Sequence, residues 1–384
     1  MLKNNDVLRR WQNPVDILKS SWSEKEQQDS LKQRAQDVLK GSPLLRILDE
    51  SDLRETGTLR EVVAVCRELG KTDASLGWLV GVANSAWSMR ANFPLPDEVS
   101  ADMRENAMLS MVLGRPGKLK PATDGQGWYL NGSWKYASGY PCSSHFFCLA
   151  VDPSGDVRVV TVPSNQMTVT ADWQSTGLVG TQSVTVEARD IAIPEAFTVA
   201  YAPVLSGNAI SGRGAGSYAR YFTGVLMNCL PATLLGATES GIKLVLTEFN
   251  APVAGSSYTA MSDSGAARYE IGRLCSTFDL LVRAAEYNAS IIDSAAQEGR
   301  ALESEERVAI RGRATQIMRG CVDIVQSLLW LRGSSALEKN SPLEKIWRDV
   351  NVGARHGGFA KLVPEELEGI SALKGDPSSL TQMY

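Results

Sequence analysis

The sequence predicts an α+β protein that is mostly α, with helices on either side of a small β domain. Two observations carry this. Apolar residues recur at three- and four-residue spacing over about residues 12–120 and again over about 220–365. Between them, about residues 121–200 switch to short strand-like runs punctuated by Gly and Pro. The 384 residues, 43% of them hydrophobic, suffice for more than one packed layer. The expected organisation is an N-terminal helical domain over 1–120, a central antiparallel β domain over 121–204 and a C-terminal helical bundle over 205–384.

The elements follow in order. Ser23-Glu24-Lys25-Glu26 reads as a capped helix start, with Leu31, Ala35, Val38 and Leu39 following at helical spacing. Leu59 to Leu69 puts Val62, Val63, Cys66 and Leu69 on one face. Thr72 or Asp73 caps a third helix carrying Leu76, Leu79, Val80 and Ala83, and Pro94 and Pro96 close the region. Asn131-Gly132, between Trp128-Tyr129-Leu130 and Ser133-Trp134-Lys135-Tyr136, predicts a hairpin turn. Phe146–Val151, Val157–Val162, Met167–Thr170 and Val184–Ala188 read as further strands, and Ser206–Ser217 as a Gly- and Ser-rich loop. Tyr221–Phe249 is a long helical pattern with a kink or stop expected at Pro231. Ile271–Ile292 and Glu305–Leu331 continue the bundle.

Composition excludes several classes. A net charge of −4 without a Lys/Arg run argues against nucleic acid. Cys66, Cys142, Cys148, Cys229, Cys275 and Cys321 form no CxxC pair, and His145 and His356 are the only histidines, so no zinc cluster is expected. Scattered thiols and a polar Met1–Gln12 without an apolar core read as a reduced, cytoplasmic protein, and no apolar run reaches bilayer length.

Four segments carry a family resemblance. They are Gly127 to Gly139, which ends Trp134-Lys135-Tyr136-Ala137-Ser138-Gly139; Trp173 with Gly177-Leu178-Val179-Gly180-Thr181-Gln182-Ser183 and Ile191 to Pro194; Gly333-Ser334-Ser335-Ala336; and Trp347-Arg348-Asp349 followed by His356. In order and spacing the chain resembles the acyl-CoA dehydrogenase superfamily, and within it the two-component flavin-dependent monooxygenases. The resemblance implies an acyl-CoA dehydrogenase-like fold with a C-terminal four-helix bundle, and a homotetramer. It also implies reduced FMN or FAD supplied by a separate flavin reductase, since no GxGxxG motif follows a strand. The flavin would react with O2 to a C4a-hydroperoxide and hydroxylate a small, aromatic substrate (phenolic, polyketide or indole). N-oxidation of an amine or amino sugar, acyl-CoA dehydrogenation and a non-catalytic ligand-binding scaffold remain as alternatives.

The resemblance also assigns roles. His356 is the expected base toward a phenol, against a capping His before Gly357-Gly358. Ser138 is expected to face flavin N5, against a turn Ser bonding its own backbone. Trp134, Trp173 and Ser183 are cofactor candidates beside it, with β-core packing the competing role for the two rings. Ser334 and Ser335 would hold the flavin phosphate, or simply follow a Gly C-cap; Arg268 would assist or be solvated. Asn84, Trp87 and His145 are the substrate-pocket candidates, with core packing and a strand start as their plain alternatives. Arg348-Asp349 is expected to be a structural ion pair that orients the helix carrying His356.

Overall fold

The computed structural model describes residues 5–26, 37–51, 54–123, 125–207, 217–360 and 362–384. The N-terminal layer contains α1 (Gln12–Glu26), α2 (Leu59–Gly70), α3 (Ala74–Arg90) and α4 (Asp97–Asn106). Thr58 starts α2 with a capping box: its hydroxyl accepts the Glu61 N–H and the Glu61 carboxylate accepts the Thr58 N–H at 2.7 Å. Asp73 starts α3 by accepting the Ser75 N–H at 2.7 Å. Every residue of α3 from Ala74 to Met89 is buried, so this helix runs through the middle of the molecule rather than along its surface. Ser23 does not start a helix; it lies inside α1, which buries Val15, Leu18 and Trp22. Leu31 and Ala35 lie outside the described residues.

Seven strands form one sheet: β1 (Leu109–Pro121), β2 (Trp128–Ala137), β3 (His145–Val151), β4 (Val157–Pro163), β5 (Thr168–Ala171), β6 (Val184–Ile193) and β7 (Thr198–Ala200), in the order β5-β6-β2-β1-β3-β4-β7. Two expectations change here. The sheet begins at Leu109, inside the stretch read as helical, and it is not purely antiparallel, because β1 and β3 pair in parallel. Arg115-Pro116-Gly117 hid β1: the proline sits where the β1–β3 register shifts, between Val112 and Gly117, a place where a missing N–H is tolerated.

Asn131-Gly132 is not a turn. β2 runs straight through it, antiparallel to β1 on one side and to β6 on the other. Asn131 instead donates to the Asp190 carboxylate at 2.8 Å and accepts the Asp190 N–H at 3.0 Å across the sheet. Gly132 and Gly117 lie beneath the Trp134 indole, which leaves no room for a Cβ on either. A second hydrophobic core, separate from that of the helices, fills the sheet with Trp134, Phe146, Val160 and Val186.

After α5 (Tyr201–Ser206) come α6 (Phe222–Thr247), α7 (Gly265–Glu298), α8 (Ser304–Arg332), α9 (Pro342–Gly353) and α10 (Val363–Ala372). Pro231 neither stops nor divides α6. The stretch Ala219–Thr247 is long and apolar enough to span a bilayer, contrary to the expectation from run lengths, yet it is the inner helix of the bundle, packed on α2, α3, α7, α8 and α9. A helix covered on all sides is apolar on all sides. Its one buried charge, Glu239, is answered by Arg67 at 2.8 Å, Lys243 at 2.9 Å and Lys71 at 3.4 Å. Burial alone would raise the Glu239 pKa, and the three cations more than reverse this.

This cluster ties α2 to α6. Glu239→Ala is expected to lower the unfolding free energy by about 3 kcal/mol, because Arg67 keeps its burial and loses its counterion. Glu239→Gln, which retains an acceptor, should lose less. Urea-induced unfolding followed by circular dichroism measures both.

Candidate active site

The site is assembled on the first two turns of α3. The segment before Ser183 is held there by α9. Gly177 lies so close to the Arg348 carbonyl that a Cβ would stand 2.3 Å from its oxygen. The next residue, Leu178, adopts the left-handed region (φ 51°), and its N–H donates to Asp349 Oδ1 at 2.6 Å. Asp349 is buried and also meets Lys345 Nζ at 2.8 Å, which reaches the Asp73 cap of α3 at 3.3 Å. Burial would lower the Lys345 pKa, but the two carboxylates hold it well up, so the ammonium stays charged. Burial is also the main cause that raises Asp349. Arg348 does not pair with Asp349, as the sequence suggested. Neighbours on a helix point apart, and Arg348 pairs with Glu344 one turn back and donates to the Thr176 carbonyl.

The Leu178 carbonyl is the next anchor. It accepts from Trp173 Nε1 at 3.0 Å and from Thr181 Oγ1 at 2.7 Å. Thr181 Oγ1 lies 2.8 Å from Ser183 Oγ, which lies 2.7 Å from Ser138 Oγ. The Gly139 N–H donates to the Thr181 carbonyl at 2.8 Å, and Ser110 Oγ donates to the Ser138 carbonyl at 2.8 Å. Ser138 thus ends a chain of three buried hydroxyls. Gly139, with φ 70°, seats the chain against Leu79 of α3 and Met108, and Gly180 packs on Ser75 of α3. Just before Ser138, Tyr136 is forced to φ 71° and turned outward, 67% exposed, with Trp173 edge-on at 6.0 Å.

His356 reaches the same helix from the other side. Its ring meets Trp78 of α3 edge-on at 5.8 Å and Phe359 at 5.8 Å. The Gly358 N–H donates to His356 Nδ1 at 3.2 Å. Arg311, buried in α8, holds Gly358 by donating twice to its carbonyl, at 2.9 and 3.1 Å. Burial among these apolar rings pulls the imidazole down to about 4, so it is neutral at pH 7. With Nδ1 accepting, the neutral ring carries its proton on Nε2.

Other sequence candidates lie elsewhere. Trp134 is in the β core with Ala137, its indole N–H donating to the Leu149 carbonyl at 3.0 Å; the register shift of β2 against β6 between these two residues, where Tyr136 takes φ 71°, breaks the strand alternation that would otherwise put Trp134 and Ser138 on one face. Asn84 is fully buried and spends its amide on Leu44, Val80 and Leu48. Trp87 is buried and bonded to the Ala107 carbonyl at 2.9 Å. Both serve the core of the N-terminal layer. His145 opens β3, buried, 3.7 Å from Asp102, and lines a separate cleft of about 430 Å³ with Glu98, Asn106 and Asn165. Burial lowers its pKa and Asp102 partly opposes this. Gly333 ends α8 and Ser335 Oγ bonds back to the Arg332 carbonyl, which is capping geometry. Arg268 donates to the Ser262 carbonyl at 2.8 Å near the start of α7. Residues the sequence reading missed are Tyr136, Trp78 and Thr181. Tyr136 and Thr181 stood inside the quoted motifs, and Trp78 shares the helical face of Ser75 and Leu79.

The acyl-CoA dehydrogenase C-terminal domain family matches residues 229–361. XiaF from Streptomyces sp., solved in complex with FADH2 and glycerol, superposes with a TM-score of 0.85 over 97% of this chain and 96% of its own, at 23% identity. Residues 229–361 thus match an acyl-CoA dehydrogenase C-terminal domain, and the chain as a whole has the acyl-CoA dehydrogenase-like fold. The FADH(2)-dependent resorcinol hydroxylase oxygenase component of Rhizobium sp. (strain MTP-10005) is 26% identical over 320 residues, 78% of this chain and 77% of its own. The pigment production hydroxylase of Rhodococcus erythropolis is 25% identical over 341 residues, 83% of each chain. By sequence the chain groups with the oxygenase components of flavin-dependent monooxygenases.

The residues present fit a flavin. Tyr136 and Trp173 form a partly exposed aromatic edge suited to a flat ring, and Ser138 Oγ beside them has a lone pair unused by the hydroxyl chain. Asp349 supports both features through Leu178. Asp349→Ala is expected to weaken reduced-flavin binding by about tenfold, roughly 1.4 kcal/mol. Asp349→Asn, which keeps an acceptor for the Leu178 N–H, should recover most of it. Anaerobic titration with reduced FMN and FAD measures the difference.

Proposed function

We propose that this chain takes reduced FMN or FAD from a separate flavin reductase and hydroxylates a small aromatic substrate in the space between Ser138, α3 and His356. The observation that carries the reading is the convergence of the Ser138–Ser183–Thr181 chain and the His356 loop on one helix, at Ser75, Trp78 and Leu79. Reduced flavin, when bound, supplies the electrons that activate O2. Ser138 is the group offered to the ring nitrogen. Trp78, Phe359 and Met227 give the His356 side an apolar wall that excludes water and suits an aromatic ring.

His356 takes a different role from the base expected of it. A neutral imidazole near pKa 4 with Nδ1 already accepting is a poor proton acceptor at neutral pH. Its Nε2–H is a donor, suited to hold the oxygen of a phenol or phenolate. Relatives described as acting on resorcinol and on indole-3-acetate support the aromatic class. Acyl-CoA dehydrogenation needs a carboxylate base at the site. Asp349 and Glu344 are committed to Lys345 and Arg348, and Glu338 is exposed.

A homotetramer belongs to the same reading. Tyr269, Leu280 and Tyr287 on α7 and Trp330 on α8 are large apolar side chains left exposed on the bundle. Arg268 and Ser334, at the bundle end where α7 begins and α8 stops, would then serve the flavin phosphate across a subunit boundary.

Stopped-flow mixing of the protein–reduced flavin complex with O2 tests the proposal. Reoxidation slower than that of free flavin, with substrate-dependent product, is expected. Reoxidation at the free-flavin rate with stoichiometric H2O2, for every phenol or indole tried, would refute it. His356→Gln should retain more hydroxylation than His356→Ala if the ring is a donor.

The histidine also predicts a pH dependence of stability. The imidazole binds its proton at about 6.5 unfolded and about 4 folded, so between these values the unfolded state holds more protons and stability climbs with pH. About 3 kcal/mol is expected to be gained from pH 4 to 6.5, with nothing further from this group above. His145, lowered in the same direction, adds with the same sign. Urea unfolding from pH 4 to 8 measures the slope, and His356→Gln should flatten it.

A further inference from the structure

A hydroxyl group has one hydrogen, and this sets the direction of the Ser138 chain. The Leu178 carbonyl can only accept, so the Thr181 hydroxyl hydrogen is spent on it at 2.7 Å. Thr181 Oγ1 therefore accepts in its 2.8 Å contact with Ser183, and the Ser183 hydrogen is spent in turn. Ser183 Oγ must then accept in its 2.7 Å contact with Ser138, so the Ser138 hydrogen also points into the protein. All three residues are buried, at 1%, 7% and 9% exposure for Thr181, Ser183 and Ser138, which limits competition from water. What Ser138 has left to present to the cleft is a lone pair.

We infer that Thr181 is a positioning residue that makes Ser138 a hydrogen-bond acceptor only, so that the site discriminates between flavin redox states. The inference rests on the flavin reading above and goes beyond it. Reduced flavin carries N5–H, a donor that a lone pair welcomes. Oxidised flavin carries a bare N5, itself an acceptor, and two lone pairs facing each other lose the hydrogen bond and repel. The chain thus favours arrival of reduced flavin and release of oxidised flavin, with the polarity set about two hydroxyls away from the ring. Asp349 and Trp173 contribute by keeping the Leu178 carbonyl, the terminal acceptor, in place.

The test reads binding rather than turnover. Dissociation constants of oxidised and of anaerobically reduced FAD and FMN are measured for the unsubstituted protein and for Thr181→Val, Thr181→Ser and Ser183→Ala. The unsubstituted protein should prefer the reduced form. Thr181→Val keeps the side-chain shape and leaves Trp173 on the Leu178 carbonyl, but it frees the Ser183 hydrogen to turn toward Ser138. The ratio of oxidised to reduced dissociation constants should fall about tenfold, roughly 1.4 kcal/mol. Thr181→Ser should restore it, and Ser183→Ala should lower it independently, which covers failure of the valine variant to fold. Equal weakening of both redox states in Thr181→Val and Ser183→Ala would show a merely structural role and overturn the inference. So would an unsubstituted protein that binds both states alike, which would leave the flavin site itself standing. Binding of neither state would overturn the flavin reading and this inference with it.

Discussion

One buried carboxylate holds the working parts in register. Asp349 accepts the Leu178 N–H and pairs with Lys345, whose ammonium also reaches Asp73, the cap of α3. Three segments distant in sequence meet there: the helix under the site, the loop that carries Thr181 and Ser183, and the helix that leads to His356. The arrangement is stable because the two carboxylates share one cation and Asp349 meets a backbone donor as well. With the bonds that Trp173 and Thr181 make to the Leu178 carbonyl, it offsets the left-handed backbone at Leu178.

The site follows from this anchoring by short-range steps. Fixing Leu178 fixes its carbonyl, and the carbonyl orders Trp173 and the hydroxyl chain. Opposite, Arg311 fixes Gly358, whose N–H fixes the histidine tautomer. Neither Ser138 nor His356 is oriented by its own residue alone. Each is oriented by a backbone group whose position is set from another domain layer, which is how a site precise enough for redox chemistry can be built from loops.

Local chemistry was legible in part where the partner is close along the chain. Asp73 caps its helix through Ser75 and the helical periods from Leu59 to Leu69 and Glu305 to Leu331 survive in the structure, whereas the capping signal at Ser23 falls inside α1. Asn131-Gly132 misled because a hairpin signal describes only a propensity. The residue that decides is Asp190, fifty-nine positions away, which holds Asn131 across the sheet. Pro116 hid β1 for the same reason, since a bulge against β3 is invisible until β3 is in place.

The sequence by itself determined the order of helical and β layers, the superfamily resemblance and the motif residues Ser138, Ser183 and His356. These depend on periodicity and on motif order, which survive in one dimension. Tertiary structure alone decided which of the aromatic and polar residues pack beside Ser138 and His356. Trp134, Asn84 and Trp87 turned into the cores, while Tyr136, Trp78 and Thr181 came to the site. It also decided that the His356 imidazole is neutral with Nδ1 accepting, because desolvation and hydrogen-bond direction are properties of a surrounding that no residue carries alone.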